Sequence, residues 1–128
     1  MYNAPVDLCD LEIYALSKEI SHAGWEIYGR LDWRIKKVIG DQFISAMDSV
    51  GANIAEGFGR FHFADKNRFN YNARGSLSES LHWLDLLFER NLIEKSDYYA
   101  LSPKMKRLMV KINNYITVTK EQNSKKWQ

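Results

Sequence analysis

Proline and cysteine are both scarce in this chain of 128 residues, and each scarcity restricts the possible fold. The prolines are Pro5 and Pro103, so residues 6–102 contain none. Because proline is the strongest helix breaker, its absence over this stretch favours long helices. The lone cysteine, Cys9, excludes an intrachain disulfide and predicts a reducing, cytosolic compartment. It is expected to be a small buried hydrophobic residue rather than a nucleophile.

Long apolar runs and metal-binding or catalytic motifs are missing as well. No stretch approaches the roughly 20 apolar residues of a membrane-spanning helix, and residues 1–10 are too acidic for a secretory signal. The spacing of a di-metal bundle site occurs as Glu19 with His22 and as Glu79 with His82, but the fourth helix lacks an acid between its start at Ser96 or Asp97 and residue 121. The sequence therefore predicts no metal, no cofactor and no enzymatic activity.

Hydrophobic periodicity predicts one all-α domain, an antiparallel up-down bundle of four helices. The expected helices span about residues 6–29, 41–58, 65–90 and 96–120, followed by a polar tail at 121–128 that is expected to fray. The predicted core stripes are Ile13, Leu16, Ile20, Ala23 and Ile27; Phe43, Met47, Val50, Ile54 and Phe58; Phe69, Ala73, Leu77, Leu81, Leu84 and Phe88; and Leu101, Met105, Leu108, Ile112, Tyr115 and Thr119.

Capping residues give the expected helix boundaries. The predicted caps are Asp41 and Asp65 at N-termini, Gly57 with Gly59 and then Asn91 at C-termini, and Ser96 or Asp97 at the start of the fourth helix. A glycine inside a helix costs about 1 kcal/mol relative to alanine. Gly51 therefore predicts a close approach between helices.

Charge is distributed unevenly, although the formal net charge is only +2. Residues 1–30 contain five acids and two bases, whereas residues 101–128 contain seven bases and one acid. Either the two ends pack against each other, or the basic end faces an anionic partner.

Basic residues form two candidate sites for phosphate contacts. One comprises Arg60, Lys66, Arg68 and Arg74, and the other comprises Lys104, Arg107 and Lys111. Aromatic residues beside such cations can stack on unpaired bases, but in a small bundle they are more often core or interface residues. The core or interface interpretation is preferred for Trp25, Trp33, Phe61, Phe63, Tyr71, Trp83, Tyr98 and Tyr99.

One motif is distinctive enough to indicate a family. The run S-V-G-A-N-I-A-E-G-F-G-R ends the second helix, and an R-F pair and a G-S-L-S-E segment follow in the third. Its characteristic residues are Ser49, Asn53, Ile54, Ala55, Glu56, Gly57, Gly59, Arg60, Arg68, Phe69, Gly75, Ser76, Leu77 and Glu79. On these residues the chain resembles the bacterial four-helix-bundle proteins encoded by intervening sequences of 23S ribosomal RNA genes. That family is related to the accessory proteins of diversity-generating retroelements.

The resemblance extends from about residue 11 to residue 116 and implies a homo-oligomer, a ring of five bundles, with no catalysis and with RNA as a proposed ligand. Many relatives carry a Phe-Pro pair after the first helix, where Leu31, Asp32 and Trp33 stand here. Repetition around a ring would multiply a modest basic patch into a strong positive field. The alternative function is a protein-interaction scaffold that docks a partner protein on the ring.

The acid of the motif needs a cationic partner if it is buried, because an unpaired buried charge is costly. Glu56 and Asn53 are therefore expected to form a polar network that fixes the angle between helices two and three or seals a subunit interface. A partner-binding role is the alternative, and catalysis is disfavoured.

Overall fold

The computed structural model describes residues 7–126, which contain helices and turns and no strand. The long helices are α1 (Glu12–Gly29), α2 (Asp41–Phe58), α3 (Phe63–Glu89) and α4 (Lys95–Lys126). A short 3-10 turn, Leu8–Asp10, precedes α1. The observed architecture is the predicted all-helical bundle.

Contacts between the helices show that neighbours run antiparallel. Between α1 and α2, the hydroxyl of Ser21 donates to the carbonyl of Met47 at 3.2 Å. Between α1 and α4, Glu12 pairs with Lys111 and Glu19 pairs with Lys104, so numbers rise on one helix as they fall on the other. Each helix packs on its neighbours in the chain, and α4 closes the bundle against α1.

The core contains most of the predicted stripe residues, but on α1 the buried face is rotated. Ser17 and Gly24 are buried, whereas Leu16 is only partly buried. The reason is close packing on α2, where a Cβ at Gly24 would lie 2.8 Å from the Met47 methyl carbon. A Cβ at Gly51 would lie 3.1 Å from the hydroxyl oxygen of Ser17, as the predicted close approach requires.

The buried face of α3 includes polar residues that the stripe did not predict. Asn67 and Asn70 are buried, whereas Phe69 is only partly buried. The Asn67 amide donates to the carbonyl of Ile116 at 3.1 Å, and the Asn70 amide donates to the Asn67 side-chain oxygen at 2.8 Å. These bonds replace the water that the amides lose, so the polar core residues tie α3 to α4 at little cost.

The glycines near the end of α2 do not terminate it in the predicted way. No glycine of residues 7–126 has a positive φ, and Gly57 lies inside the helix. The left-handed cap occurs at Asn91, which has a φ of 59°. Its N–H donates to the carbonyl of Phe88, and the N–H of Leu92 donates to the carbonyl of Leu87, which forms a Schellman motif. Asn91 therefore ends α3 as predicted.

The predicted N-caps at two aspartates are wrong. The residue that precedes α3 is His62, in an extended conformation, and Asp65 lies in the first turn. Asp41 is not a cap because the segment before it is already helical: Trp33–Ile35 forms an α-turn and Lys36–Gly40 forms a π-turn that continues into α2. We call residues 30–40 the connector.

Both ends of the described chain differ from the prediction. Cys9 is exposed in the 3-10 turn, because α1 begins only at Glu12, so the expected burial of this residue is wrong. The tail that was expected to fray remains helical to Lys126. Val6, the expected start of the first helix, and residues 127–128 lie outside the described residues.

Candidate nucleic-acid interface

The motif residues meet where α2 ends and α3 begins. Gly57 lies at the point of closest approach: a Cβ there would lie 3.0 Å from the backbone oxygen of Lys66 and 3.0 Å from the Cβ of Phe69. Only glycine avoids this double contact. The glycine of the motif is thus explained by helix packing and not by a left-handed turn.

Charged residues surround this contact in a group that we call the junction cluster: Glu56, Arg60, Asp65, Arg68 and Phe69. The guanidinium of Arg60 lies 2.7 Å from the Glu56 carboxylate and 3.7 Å from that of Asp65. Arg68 pairs with Asp65 at 2.9 Å. Both guanidinium carbons lie close to the Phe69 ring centroid, at 4.8 Å and 4.6 Å. The cluster links the end of α2 to the first turn of α3.

Glu56 itself is exposed in the single chain, with 55% of its side chain accessible, so its pairing is not forced by the cost of a buried charge. Its partner Arg60 lies one turn away on the same helical face. The Asn53 amide donates to the carbonyl of Ser49 within α2 rather than to the Glu56 carboxylate. The interhelical network therefore consists of surface ion pairs.

Lys66 has a different environment from the arginines. Its ammonium donates to the carbonyl of Phe58 at 3.0 Å, where α2 has unsatisfied carbonyls. Burial lowers its pKa, because the charged form loses water. This lysine acts as a C-terminal cap of α2, which limits its availability for a phosphate.

The G-S-L-S-E segment lies in the middle of α3. Leu77 is fully buried, and Ser76 accepts a bond from the Ser80 hydroxyl at 2.8 Å. Glu79 accepts from the indole N–H of Trp83 at 3.0 Å. Gly75 is exposed, and apart from its chain neighbours and the backbone of its own helix no described atom lies within 4 Å of where its Cβ would be. The packing of this chain alone gives no reason for a glycine at that position.

On α4, two of the candidate phosphate ligands pair with acids of α1. Lys104 lies 2.8 Å from Glu19, and Lys111 lies 2.6 Å from Glu12. The Lys104 hydrogen bond lowers the pKa of Glu19, with a smaller contribution from Arg107. Of the two explanations for the uneven charge, complementary packing of the chain ends accounts for these lysines.

Arg74, on α3, contacts the face of α4 that packs on α3 rather than the face that packs on α1. It therefore belongs to a third group of cations. Its guanidinium donates to the side-chain oxygen of Asn113 at 3.0 Å and lies 4.9 Å from the centroid of the exposed Tyr71 ring. The ammonium of Lys120 lies 5.4 Å from the same ring. We call Tyr71, Arg74 and Lys120 the tyrosine surface.

A groove of about 240 Å³ between α3 and α4 adjoins the tyrosine surface. It is lined by Phe63, Ala64, Asn67, Tyr71, Thr119, Lys120 and Asn123. Lys120 was not among the predicted phosphate ligands, although it lies seven residues after Asn113 and therefore on the same face of α4. The candidate cations thus lie in three places rather than on one continuous surface.

Several aromatics expected in the core or an interface are exposed in this chain. The exposed fractions are 60% for Trp25, 66% for Trp33, 83% for Phe61 and 64% for Tyr99. Phe63 and Trp83 are partly buried. These four residues, together with Tyr71 at 37% exposed, are therefore not core residues of the single chain, and the interface part of the prediction stays a prediction.

Among residues 7–126, the potential metal ligands Asp7, Cys9 and Asp10 lie together, with their ligand atoms all within 4.8 Å of one another. All three are exposed, and exposed acidic groups commonly bind nothing. The two Glu–His pairs do not occur in this group. None of the described helices combines the length and apolarity that a membrane crossing requires.

A family model of the 23S rRNA-intervening sequence protein matches residues 9–114, a range that includes the junction cluster and the tyrosine surface up to Arg74. The chain belongs to this family. The match ends before Lys120, so the family model does not include the whole tyrosine surface. No curated protein matches the chain.

A solved structure has a fold similar to that of this chain. It is a protein of unknown function from the S23 ribosomal protein family of Bacteroides thetaiotaomicron, with 20% sequence identity and a TM-score of 0.73. The similarity covers 81% of this chain and 97% of that chain. At this identity the comparison establishes the helical fold and leaves function open.

Proposed function

We propose that the protein is a non-enzymatic, oligomeric RNA-binding accessory protein whose tyrosine surface makes the main phosphate contacts. One observation carries the proposal: Arg74 and Lys120 lie against an exposed ring and beside a groove, yet no carboxylate of the described residues lies within 4.0 Å of either cation. Aromatic rings combined with cations suit both the bases and the phosphates of RNA.

The lack of a carboxylate within 4.0 Å of either cation favours the tyrosine surface over the Arg60–Arg68 and Lys104–Lys111 groups. At the junction cluster, a phosphate must compete with Glu56 for Arg60 and with Asp65 for Arg68. Lys104 and Lys111 are similarly neutralised by α1. An exposed pair is worth less than about 1 kcal/mol, so these cations remain accessible as secondary contacts. At the tyrosine surface, a phosphate does not have to compete with a carboxylate of the described residues for Arg74 or Lys120.

Assembly into a ring would strengthen the interaction, because copies of a modest patch would add their fields. The exposed Gly75 supports an interface on α3, since a helical glycine costs about 1 kcal/mol and no contact among residues 7–126 explains it. Light scattering is expected to give a mass that is a multiple of 15.0 kDa. A monomer would remove the contribution of repetition.

The test compares two variants that each remove two positive charges. In Arg74→Gln with Lys120→Gln we expect weaker binding to a labelled RNA hairpin. Affinity falls as salt is added, so the plot of log affinity against log salt concentration has a negative slope. We expect this slope to become shallower by roughly 0.7 to 0.9 per lost phosphate contact. The comparison variant is Lys104→Gln with Lys111→Gln, which should weaken binding less, because both lysines are already paired with acids of α1. Fluorescence anisotropy at several salt concentrations measures both quantities.

Equal losses in the two variants would mean that net charge rather than the tyrosine surface determines binding. No binding of the hairpin by the unmodified protein would remove the RNA proposal. Capture of a protein partner that both variants retain would then favour the scaffold function. Melting and light scattering of each variant establish that fold and assembly are intact.

A further inference from the structure

The connector carries a basic surface that differs from those described above. Its side chains include four cations, Arg30, Arg34, Lys36 and Lys37, and one carboxylate, Asp32. The carboxylate caps the short α-turn by accepting from the backbone N–H of Arg34 at 2.7 Å. Arg30 pairs with Asp97 at 2.6 Å. Within residues 7–126, the other three cations have no carboxylate within 4.0 Å.

Two largely exposed tryptophans accompany these cations. Trp33 lies in the connector, with the guanidinium carbon of Arg34 5.4 Å from its ring. Trp25 stacks on Tyr28 with ring centroids 5.4 Å apart, and the ammonium of Lys36 lies 5.0 Å from the Tyr28 ring. Two exposed indoles at one end of a small bundle forgo the stabilisation of burial, which points to a ligand that covers them.

The connector is also firmly held. Leu31 and Ile39 are buried in the core, and Gly40 lies where a Cβ would approach the Leu31 methyl carbon to 3.0 Å. The Tyr28 hydroxyl donates to Asp41 at 2.6 Å and links α1 to the start of α2. The turn that bears Trp33 is therefore preorganised, which reduces the entropy that a ligand must overcome.

From this combination we infer that the connector binds unpaired nucleotides of an RNA strand. The indoles of Trp33 and Trp25 stack on bases, and Arg34 and Lys37 contact the adjacent phosphates. Bases within a duplex are already stacked on one another, so this surface selects single strands.

The charge argues for this occupant over a second copy of the chain. An interface between copies would bury three cations without acidic partners on the same chain, which is costly. A nucleic acid supplies one phosphate per nucleotide and releases counterions on binding. The inference rests on the proposed function in that RNA is the ligand, but it shares no residue with the tyrosine surface.

The test uses the full chain with a labelled 12-nucleotide oligouridine and a duplex of the same length. Trp33→Ala should weaken oligouridine binding by roughly 5- to 150-fold, the measured range for the loss of one stacked base. Arg34→Gln with Lys37→Gln should make the negative slope of log affinity against log salt concentration shallower by about 1.4. The matched control, Arg90→Gln with Lys95→Gln, removes two exposed charges at the same end of the bundle and should change neither quantity appreciably.

A second measurement needs no variant. Stacking should quench the tryptophan emission of the unmodified protein when oligouridine is added, and less so when duplex is added. If Trp33→Ala does not fold, this quenching and the double Gln variant still decide the question. An oligouridine affinity unchanged in both connector variants would overturn the inference.

The outcomes also separate this inference from the proposed function. Loss of hairpin binding in the tyrosine-surface variant, together with no effect of the connector variants, leaves the proposed function standing and refutes the connector. No binding of either RNA refutes both. A change of assembly mass in folded Trp33→Ala would identify the connector as an interface between copies and refute the inference.

Discussion

The α2–α3 junction and the connector are both basic turns between helices, yet their cations have different neighbours. At the junction cluster, Arg60 and Arg68 pair with Glu56 and Asp65. In the connector, Arg34, Lys36 and Lys37 have no carboxylate within 4.0 Å among the residues described. The formal charge of a segment therefore does not measure the charge that it offers to a ligand.

The same two regions use a crowded glycine in different ways. A Cβ at Gly57 would meet backbone, the carbonyl oxygen of Lys66 at 3.0 Å. A Cβ at Gly40 would meet side chains, the Leu31 methyl carbon at 3.0 Å and the Tyr28 ring at 3.3 Å. Side-chain ends can rotate away, whereas two packed helices must move apart.

The largest effect should come from adding a methyl group at the junction. Gly57→Ala is expected to destabilise the fold by about 1–3 kcal/mol, because overpacking forces α2 away from α3. Gly40→Ala is expected to cost less, because rotation of Leu31 relieves its contact. Urea denaturation of both variants measures the difference, and equal costs would show that the two turns are equally rigid.

Gly75→Ala provides the control for glycine propensity. Nothing lies within 4 Å of this position, so alanine should stabilise the chain by about 0.5–1 kcal/mol through helix propensity alone. A variant that is stable as a monomer but fails to assemble would instead place Gly75 in an interface between copies.

A smaller effect is expected from removing the acid of the junction cluster. Glu56→Ala should lower stability by less than about 1 kcal/mol, because its pair with Arg60 is exposed. The variant also frees Arg60 from one of its acids, so RNA affinity at the junction should rise slightly and the contrast with the connector should narrow. A loss of 3 kcal/mol or more, the magnitude of a buried pair, would mean that assembly buries Glu56.

The smallest effect concerns alkaline pH, where the two regions respond with opposite sign. Beside the connector, the hydrogen bond to Asp41 raises the pKa of Tyr28. The stability that this bond adds to the fold is present below about pH 10, the pKa of an unfolded tyrosine, and is lost as the pH rises through the higher pKa of the folded state. At the junction, burial lowers the pKa of Lys66. The unfolded chain then holds more protons on this lysine just below its unfolded value near 10.4, so stability rises with pH there.

Unfolding free energies between pH 8 and 11 test this pair of effects. Tyr28→Phe should flatten the alkaline loss of stability, whereas Lys66→Met should remove the opposing rise. Tyr98 and Tyr115 also have raised pKa values, from the bond to Asp85 and from burial respectively, so part of the alkaline loss persists in both variants. Identical plots of unfolding free energy against pH for both variants and the unmodified protein would show that Tyr28 and Lys66 do not cause these changes in stability.

Local patterns in the sequence predicted the helices well and the charged site less well. The second helix, at 41–58, has the bounds of α2, and Asn91 ends α3 as expected. Periodicity succeeds here because a core stripe repeats within one helix. It failed at Ser17 and Gly24, which are buried because α2 approaches closely, a condition set by Gly51 on the other helix.

The ion pairs of the candidate site depend on distances between helices, which a local sequence pattern does not contain. Lys104 and Lys111 looked like a free basic face, but the packing of α4 on α1 places Glu19 and Glu12 against them. Conversely, Arg34 and Lys37 were not singled out, although Arg34 lies beside the exposed Trp33 and neither cation has a described acidic partner within 4.0 Å. Exposure and pairing are properties of the folded surface, so composition alone did not reveal them.

The sequence by itself determined the helical class, the four segments and the family, because periodicity, helix-breaking residues and the motif from Ser49 to Arg60 are all local in the chain. Only the tertiary structure decided which charges remain unpaired, which glycine is crowded by a neighbouring backbone and which aromatic rings stay exposed. The physical reason is that ion pairing and burial depend on distances of a few ångströms between helices, and residues far apart in sequence set those distances.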